Sequence, residues 1–179
     1  MANYVYIATS LDGYIAESDG GIEFLDKIPN TEGSDMGWSQ FISKIDALVM
    51  GRNSFEKVQS FGFWPYELPV YVLSRTLTEL PKEYEGKAFL TQGTPLQVME
   101  ELGEKGYQNL YIDGGIVVQE FLKEDLIDHL IVTKIPVLLG SGIPLFGKMD
   151  QPLWFRLEKA ETHLGELVTN HYVRDKTRG

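Results

Sequence analysis

Hydrophobic positions in this chain follow two alternating patterns. Short, almost unbroken apolar runs occupy residues 4–8, 47–50, 69–73, 88–90, 110–112 and 129–137. Runs of this length fit strands buried on both faces, as in a parallel sheet. Between several of them apolar residues recur every three or four positions, the spacing of a helix packed on one side. Trp38, Phe41, Ile42 and Ile45 form the first such stripe, with Ser34 or Asp35 placed to cap it. A second helix runs from Asn53 to about Phe61 and Gly62. A third opens at Thr94-Pro95-Leu96, a cap followed by proline, and carries Leu96, Met99 and Leu102. Val117, Val118, Phe121 and Leu122 mark a fourth.

The last third reads differently. Residues 153–161 and 167–173 look like two antiparallel strands joined by a turn near Gly165. The pattern predicts an α/β fold: three layers, a mostly parallel central sheet of about eight strands, about four flanking helices and an antiparallel C-terminal hairpin. No repeat, low-complexity segment or linker interrupts it, so residues 1–179 are expected to form a single domain.

Composition narrows the function. Sixteen basic against 26 acidic residues give a net charge of −10, which opposes nucleic-acid binding, and the basic residues form no dense cluster. An anionic small molecule remains compatible, because local amides and one arginine can outweigh net charge. The absence of cysteine excludes disulfides, thiolate zinc sites and cysteine nucleophiles. His129, His163 and His171 lie on expected strands without metal-ligand spacing, and no metal site is expected. No apolar run reaches the roughly 18 residues of a membrane span. The first residues carry no basic segment followed by an apolar core, so a cytoplasmic protein is expected.

Three short motifs follow apolar runs. Gly51-Arg52-Asn53-Ser54 and Asp113-Gly114-Gly115 each stand between a strand and a helix. Either is an ordinary strand-to-helix turn or a place where a phosphate meets free helix amides. Ser74-Arg75 ends a third run as either a solvated strand end or a hydroxyl-guanidinium pair for a phosphate. The Gly-x-Gly-x-x-Gly fingerprint is absent. Asp12, in an Asp-Gly turn, and Asp35, at a helix start, are the candidate catalytic acids. A carboxylate held in an apolar cleft would have a raised pKa and could pass a proton.

As an ordered series these motifs resemble the dihydrofolate reductase-like superfamily. The resemblance is to the branch containing the C-terminal reductase domain of the bifunctional riboflavin-biosynthesis enzyme, and it covers nearly the whole chain. Its carriers are Ser10-Leu11-Asp12-Gly13-Tyr14-Ile15-Ala16, residues 46–56 around Gly51-Arg52, Leu73-Ser74-Arg75, Asp113-Gly114-Gly115, and residues 136–146 around Gly140-Ser141-Gly142. The resemblance implies an NADPH cleft. Gly51, Arg52, Asn53 and Ser54 would meet the phosphates from one helix start, and Gly114, Gly115, Ile116 and Val117 from the other. Ser74 and Arg75 would take the adenosine 2′-phosphate, with Leu73 beside them in the cofactor set. Ala8 and Ile15 would flank the nicotinamide, and Ile112 would complete the cofactor set. Phe24, Trp38 and Asp113 are the expected substrate contacts.

The implied activity is hydride transfer to a small pyrimidine- or pterin-like heterocycle or to a carbonyl, similar to 5-amino-6-(5-phosphoribosylamino)uracil reductase. A homodimer is implied as well. Two other readings stay open: a non-catalytic nucleotide-binding or interaction protein on the same fold, and a true dihydrofolate reductase using Asp35.

Overall fold

A computed structural model describes residues 1–178. Its centre is an eight-stranded sheet made by β1 (Ala2–Thr9), β3 (Ala47–Gly51), β4 (Val70–Leu73), β5 (Ala88–Thr91), β6 (Asn109–Asp113), β7 (His129–Lys134), β9 (Phe155–His163) and β10 (Leu167–Arg174). Their order across the sheet is β5-β4-β3-β6-β1-β7-β10-β9. The pairs from β5 through β7 are parallel, and β10 pairs antiparallel with both β7 and β9. This is the three-layer, mostly parallel α/β fold with an antiparallel C-terminal edge.

Burial follows the sequence pattern except in the third helix, where Val98 and Leu102 are buried and Leu96, expected in the apolar stripe, is exposed. Residues 47–50 and all of β4 are buried, as strands covered on both faces require. Four helices supply the covers: α1 (Trp38–Ile42), α2 (Arg52–Gln59), α3 (Pro95–Glu104) and α4 (Gly115–Lys123). Phe41 of α1 and Phe55 and Val58 of α2 pack on one face with Leu48, Met50, Val70 and Val72. Val98 and Leu102 of α3 and Val117, Val118, Phe121 and Leu122 of α4 pack on the other, with Val5, Val49 and Ile112. Each such side chain, fully buried, contributes on the order of 1.5–3 kcal/mol relative to exposure.

Two elements depart from the sequence expectation. The run 129–137 pairs as a strand only to Lys134. Pro136 has no amide to extend the ladder, and the chain folds locally, the Val137 amide donating to the Ile135 carbonyl at 2.8 Å. A second, two-stranded sheet joins β2 (Tyr14–Ala16) to β8 (Ile143–Pro144). Strands of three and two residues are too short to leave a period in the sequence. Among the described residues no helix is long and apolar enough to cross a membrane.

Candidate active site

Sheet order places the site. Adjacent, parallel β3 and β6 feed helices that depart in opposite directions, α2 towards β4 and α4 towards β7. Such a divergence leaves a crevice beyond the carboxyl ends of the two strands. A cavity of about 1170 Å³ occupies it.

The two helix starts in this crevice lack side-chain caps. Gly51 precedes α2 and Gly114 precedes α4, and neither helix has a side-chain cap hydrogen bond. Helix α3 is the contrast: Thr94 accepts from the Gln97 amide, and Gln97 closes a capping box. The first amides of α2 and α4 therefore open on the cavity with the positive ends of their helix dipoles, an anion site in physical terms. Glycine is required here. A Cβ on Gly114, whose φ is +85°, would collide with Ser54 Oγ. On Gly115 it would lie 3.0 Å from Ile15 Cδ1 and 3.2 Å from the Pro144 carbonyl oxygen. The expected residues Ala8, Ile15, Gly51, Arg52, Asn53, Ser54, Leu73, Ser74, Arg75, Gly114, Gly115, Ile116 and Val117 all line the cavity. Ile112 does not. It is fully buried on the opposite face of β6, in the core under α3 and α4.

Beyond the glycines the walls change character. Trp38, Leu25, Tyr66, Tyr111 and Asp113 line the inner part of the cavity. Tyr111 and Asp113 are two apart on β6 and so face the same way. The Tyr111 hydroxyl lies 3.2 Å from Asp113 Oδ1 and 2.8 Å from the Tyr6 carbonyl. Burial raises the Asp113 pKa, opposed by the Gly114 amide and the Tyr111 hydroxyl. Burial first, and the Asp113 charge second, raise the Tyr111 and Tyr66 phenols, so both stay protonated as donors. Trp38 packs edge-on against Tyr6 and Tyr111, with ring centroids 5.6 and 6.1 Å away. The sequence reading missed the roles of Tyr66 and Tyr111. The period-two relation of Tyr111 to Asp113 was the available signal.

Three expected side chains lie elsewhere. Asp12 does not line the cavity. Its carboxylate accepts from Ser10 Oγ at 2.6 Å and from the Leu139 and Gly140 amides at 3.2 and 2.7 Å. Those bonds, Ser10 first, lower its pKa to about 2: the carboxylate fastens the 137–142 loop and stays ionised. Asp35 is exposed outside the cavity and accepts from the Gly37 and Ser39 amides, both at 3.0 Å. Ser39, then Gly37, lower its pKa, the reverse of an acid poised to donate. Phe24 is buried with Ile135 and Leu167, and its neighbour Leu25 reaches the cavity instead.

Residues 4–169 match the model of the RibD C-terminal domain. The chain belongs to that family. A putative riboflavin biosynthesis protein from Shewanella sp. PV-4 superposes with a TM-score of 0.96 at 47% identity, covering 98% of this chain and 100% of its own. The uncharacterized protein YwjB of Bacillus subtilis is 40% identical over 175 residues, 95% of this chain and 96% of its own. Dihydrofolate reductase from Enterococcus faecalis, solved with NADP(H) and RAB-propyl, shares the fold at a TM-score of 0.67 and 16% identity, covering 98% and 97%. The RibD C-terminal domain thus carries, in this chain, a dihydrofolate reductase-like architecture with a cavity at its strand ends.

Proposed function

We propose that this protein is a cytoplasmic NADPH-dependent reductase acting on a small heterocyclic or carbonyl substrate. The observation that supports the reading most is the pairing in one cavity of two glycine-started, uncapped helices with a half-buried carboxyl group. The helix amides of α2 and α4 suit a pyrophosphate, and Ser74 and Arg75 at the end of β4 suit the adenosine 2′-phosphate. Ala8 and Ile15 supply apolar flanks for a nicotinamide. Bound NADPH supplies the hydride.

The chain's own residues do the rest. Trp38, Leu25 and Tyr66 form an apolar wall that stacks a planar ring and excludes water. Burial raises the Asp113 pKa, which favours the acid form and suits this group to deliver a proton beside that ring. The donated proton goes to the nitrogen or oxygen of the reduced bond, leaving the Asp113 carboxylate to accept from Tyr111 and to be reprotonated from solvent. Asp12 and Asp35 take no part in this scheme, which separates it from folate reduction through Asp35.

Titration calorimetry of the pure protein with NADPH tests the cofactor half, with micromolar binding expected. No binding at high micromolar cofactor sinks the proposal. NADPH oxidation across a panel of pterins, aminopyrimidines and small carbonyls then tests turnover. Binding without oxidation of any of them favours the non-catalytic reading over this one.

A further inference from the structure

The outer end of the cavity carries two opposed charges. Arg75 projects from the end of β4, its side chain 77% exposed, and Arg75 Nη2 lies 3.5 Å from Glu120 Oε1. Glu120 stands on the second turn of α4, and both residues line the cavity. Ser74 is committed locally: its Oγ accepts from the Thr76 and Leu77 amides at 3.3 and 3.1 Å. Glu120 is the group paired with the guanidinium.

The two side chains answer to different ligands. A guanidinium favours a phosphate on the ribose 2′-oxygen, whereas a carboxylate accepts from a free 2′-hydroxyl and repels a phosphate. Resting on the dinucleotide reading above, we infer that Glu120 sets cofactor selectivity. It holds Arg75 in an ion pair that a 2′-phosphate has to displace, and it offers an acceptor to the 2′-hydroxyl of NADH. The protein then discriminates between NADPH and NADH less sharply than Arg75 alone would impose. Arg75 is exposed and Glu120 half-buried, so the effect is modest and weakens with salt.

The test is calorimetric binding of NADPH and NADH, at one fixed ionic strength, to the wild type, Glu120→Gln, Arg75→Ala and the double variant. Glu120→Gln should tighten NADPH about three- to tenfold and leave NADH unchanged or weaker. The NADPH gain should shrink when Arg75 is already alanine, because the two residues act as a coupled pair. Equal tightening of both cofactors overturns the inference, as does an NADPH gain of the same size without Arg75. A wild type that binds NADPH but is indifferent to Glu120→Gln overturns the role of Glu120 alone. A wild type that binds neither cofactor overturns the dinucleotide reading itself.

Discussion

Polar groups around the cavity and polar groups inside it are treated differently by this fold. At three places outside, the protein satisfies its own groups. Thr94 and Gln97 close the first turn of α3, Asp35 takes the Gly37 and Ser39 amides, and Asp12 takes those of Leu139 and Gly140. Inside, the helix starts at Gly51 and Gly114 have no side-chain cap, and at Asp113 burial outweighs the Gly114 amide and the Tyr111 hydroxyl, whereas hydrogen bonds outweigh burial at Asp12 and Asp35. A self-satisfied group adds stability. A group left open in a cavity costs stability until a ligand meets it. The contrast separates three aspartates that composition treats alike.

The largest test is Asp113→Asn. General acid catalysis is typically worth about 10²- to 10⁴-fold, so turnover of any substrate found should fall by that order while calorimetric NADPH affinity stays within about twofold. Stability should move the other way. A carboxyl whose folded pKa is raised costs nothing below its unfolded value near 3.8, and the cost grows as pH climbs through the folded value. The variant should therefore melt higher than the wild type at pH 7 and equally at pH 3. An Asp113→Asn enzyme with full turnover, or one less stable at neutral pH, breaks the contrast at its centre.

Gly114→Ala probes the open helix start. Alanine at a φ of +85° costs on the order of 1–3 kcal/mol, and its Cβ meets Ser54 Oγ. A fall of several degrees in melting temperature is expected, together with a loss of NADPH affinity of tenfold or more. Repeating the measurement in Gly114→Ala/Ser54→Gly separates the two causes. Relief of the collision should restore some stability but not the affinity, since Ser54 itself lines the cavity.

The glycine-lined half of the cavity was legible in the sequence because it is built from backbone. Glycine between an apolar run and a helical stripe marks a close approach: Gly114 holds a φ of +85°, a Cβ on Gly51 or Gly115 would have a neighbour at 3.1 or 3.0 Å, and all three sit where those patterns change. Ile112 belongs to the core instead, because strand alternation turns it to the far face of β6 from Tyr111 and Asp113. The inner half was less legible because it is assembled from distant segments. Leu25, Trp38, Tyr66 and Tyr111 converge from a 3₁₀ turn, a helix, a loop and a strand, and no spacing relates them. Asp12 and Asp35 drew attention as carboxylates near turns. Whether such a carboxylate caps the backbone or faces a ligand depends on which amides come within about 3 Å, a tertiary fact at Gly140 and a local one at Ser39.

The smallest and most selective test is the pH dependence of Asp12→Asn. Its folded pKa is lowered from 3.8 to about 2. The carboxylate thus contributes stability that is fully present above the unfolded value and disappears as pH falls through the folded one. Replacing it should lower the melting temperature by a few degrees at pH 6, because the Leu139 and Gly140 amides lose a charged acceptor. The gap between wild type and variant should close between about pH 4 and pH 2. NADPH affinity should change by less than about twofold, since Asp12 stands outside the cavity and Gly140 and Leu139 do not line it. A gap that persists unchanged to pH 2 means that the Asp12 charge does not hold the loop. A large loss of cofactor affinity means that the 137–142 loop shapes the cavity indirectly, through Ile143 and the β2–β8 pairing, and that the boundary between self-satisfied rim and open cleft lies further out than Asp12.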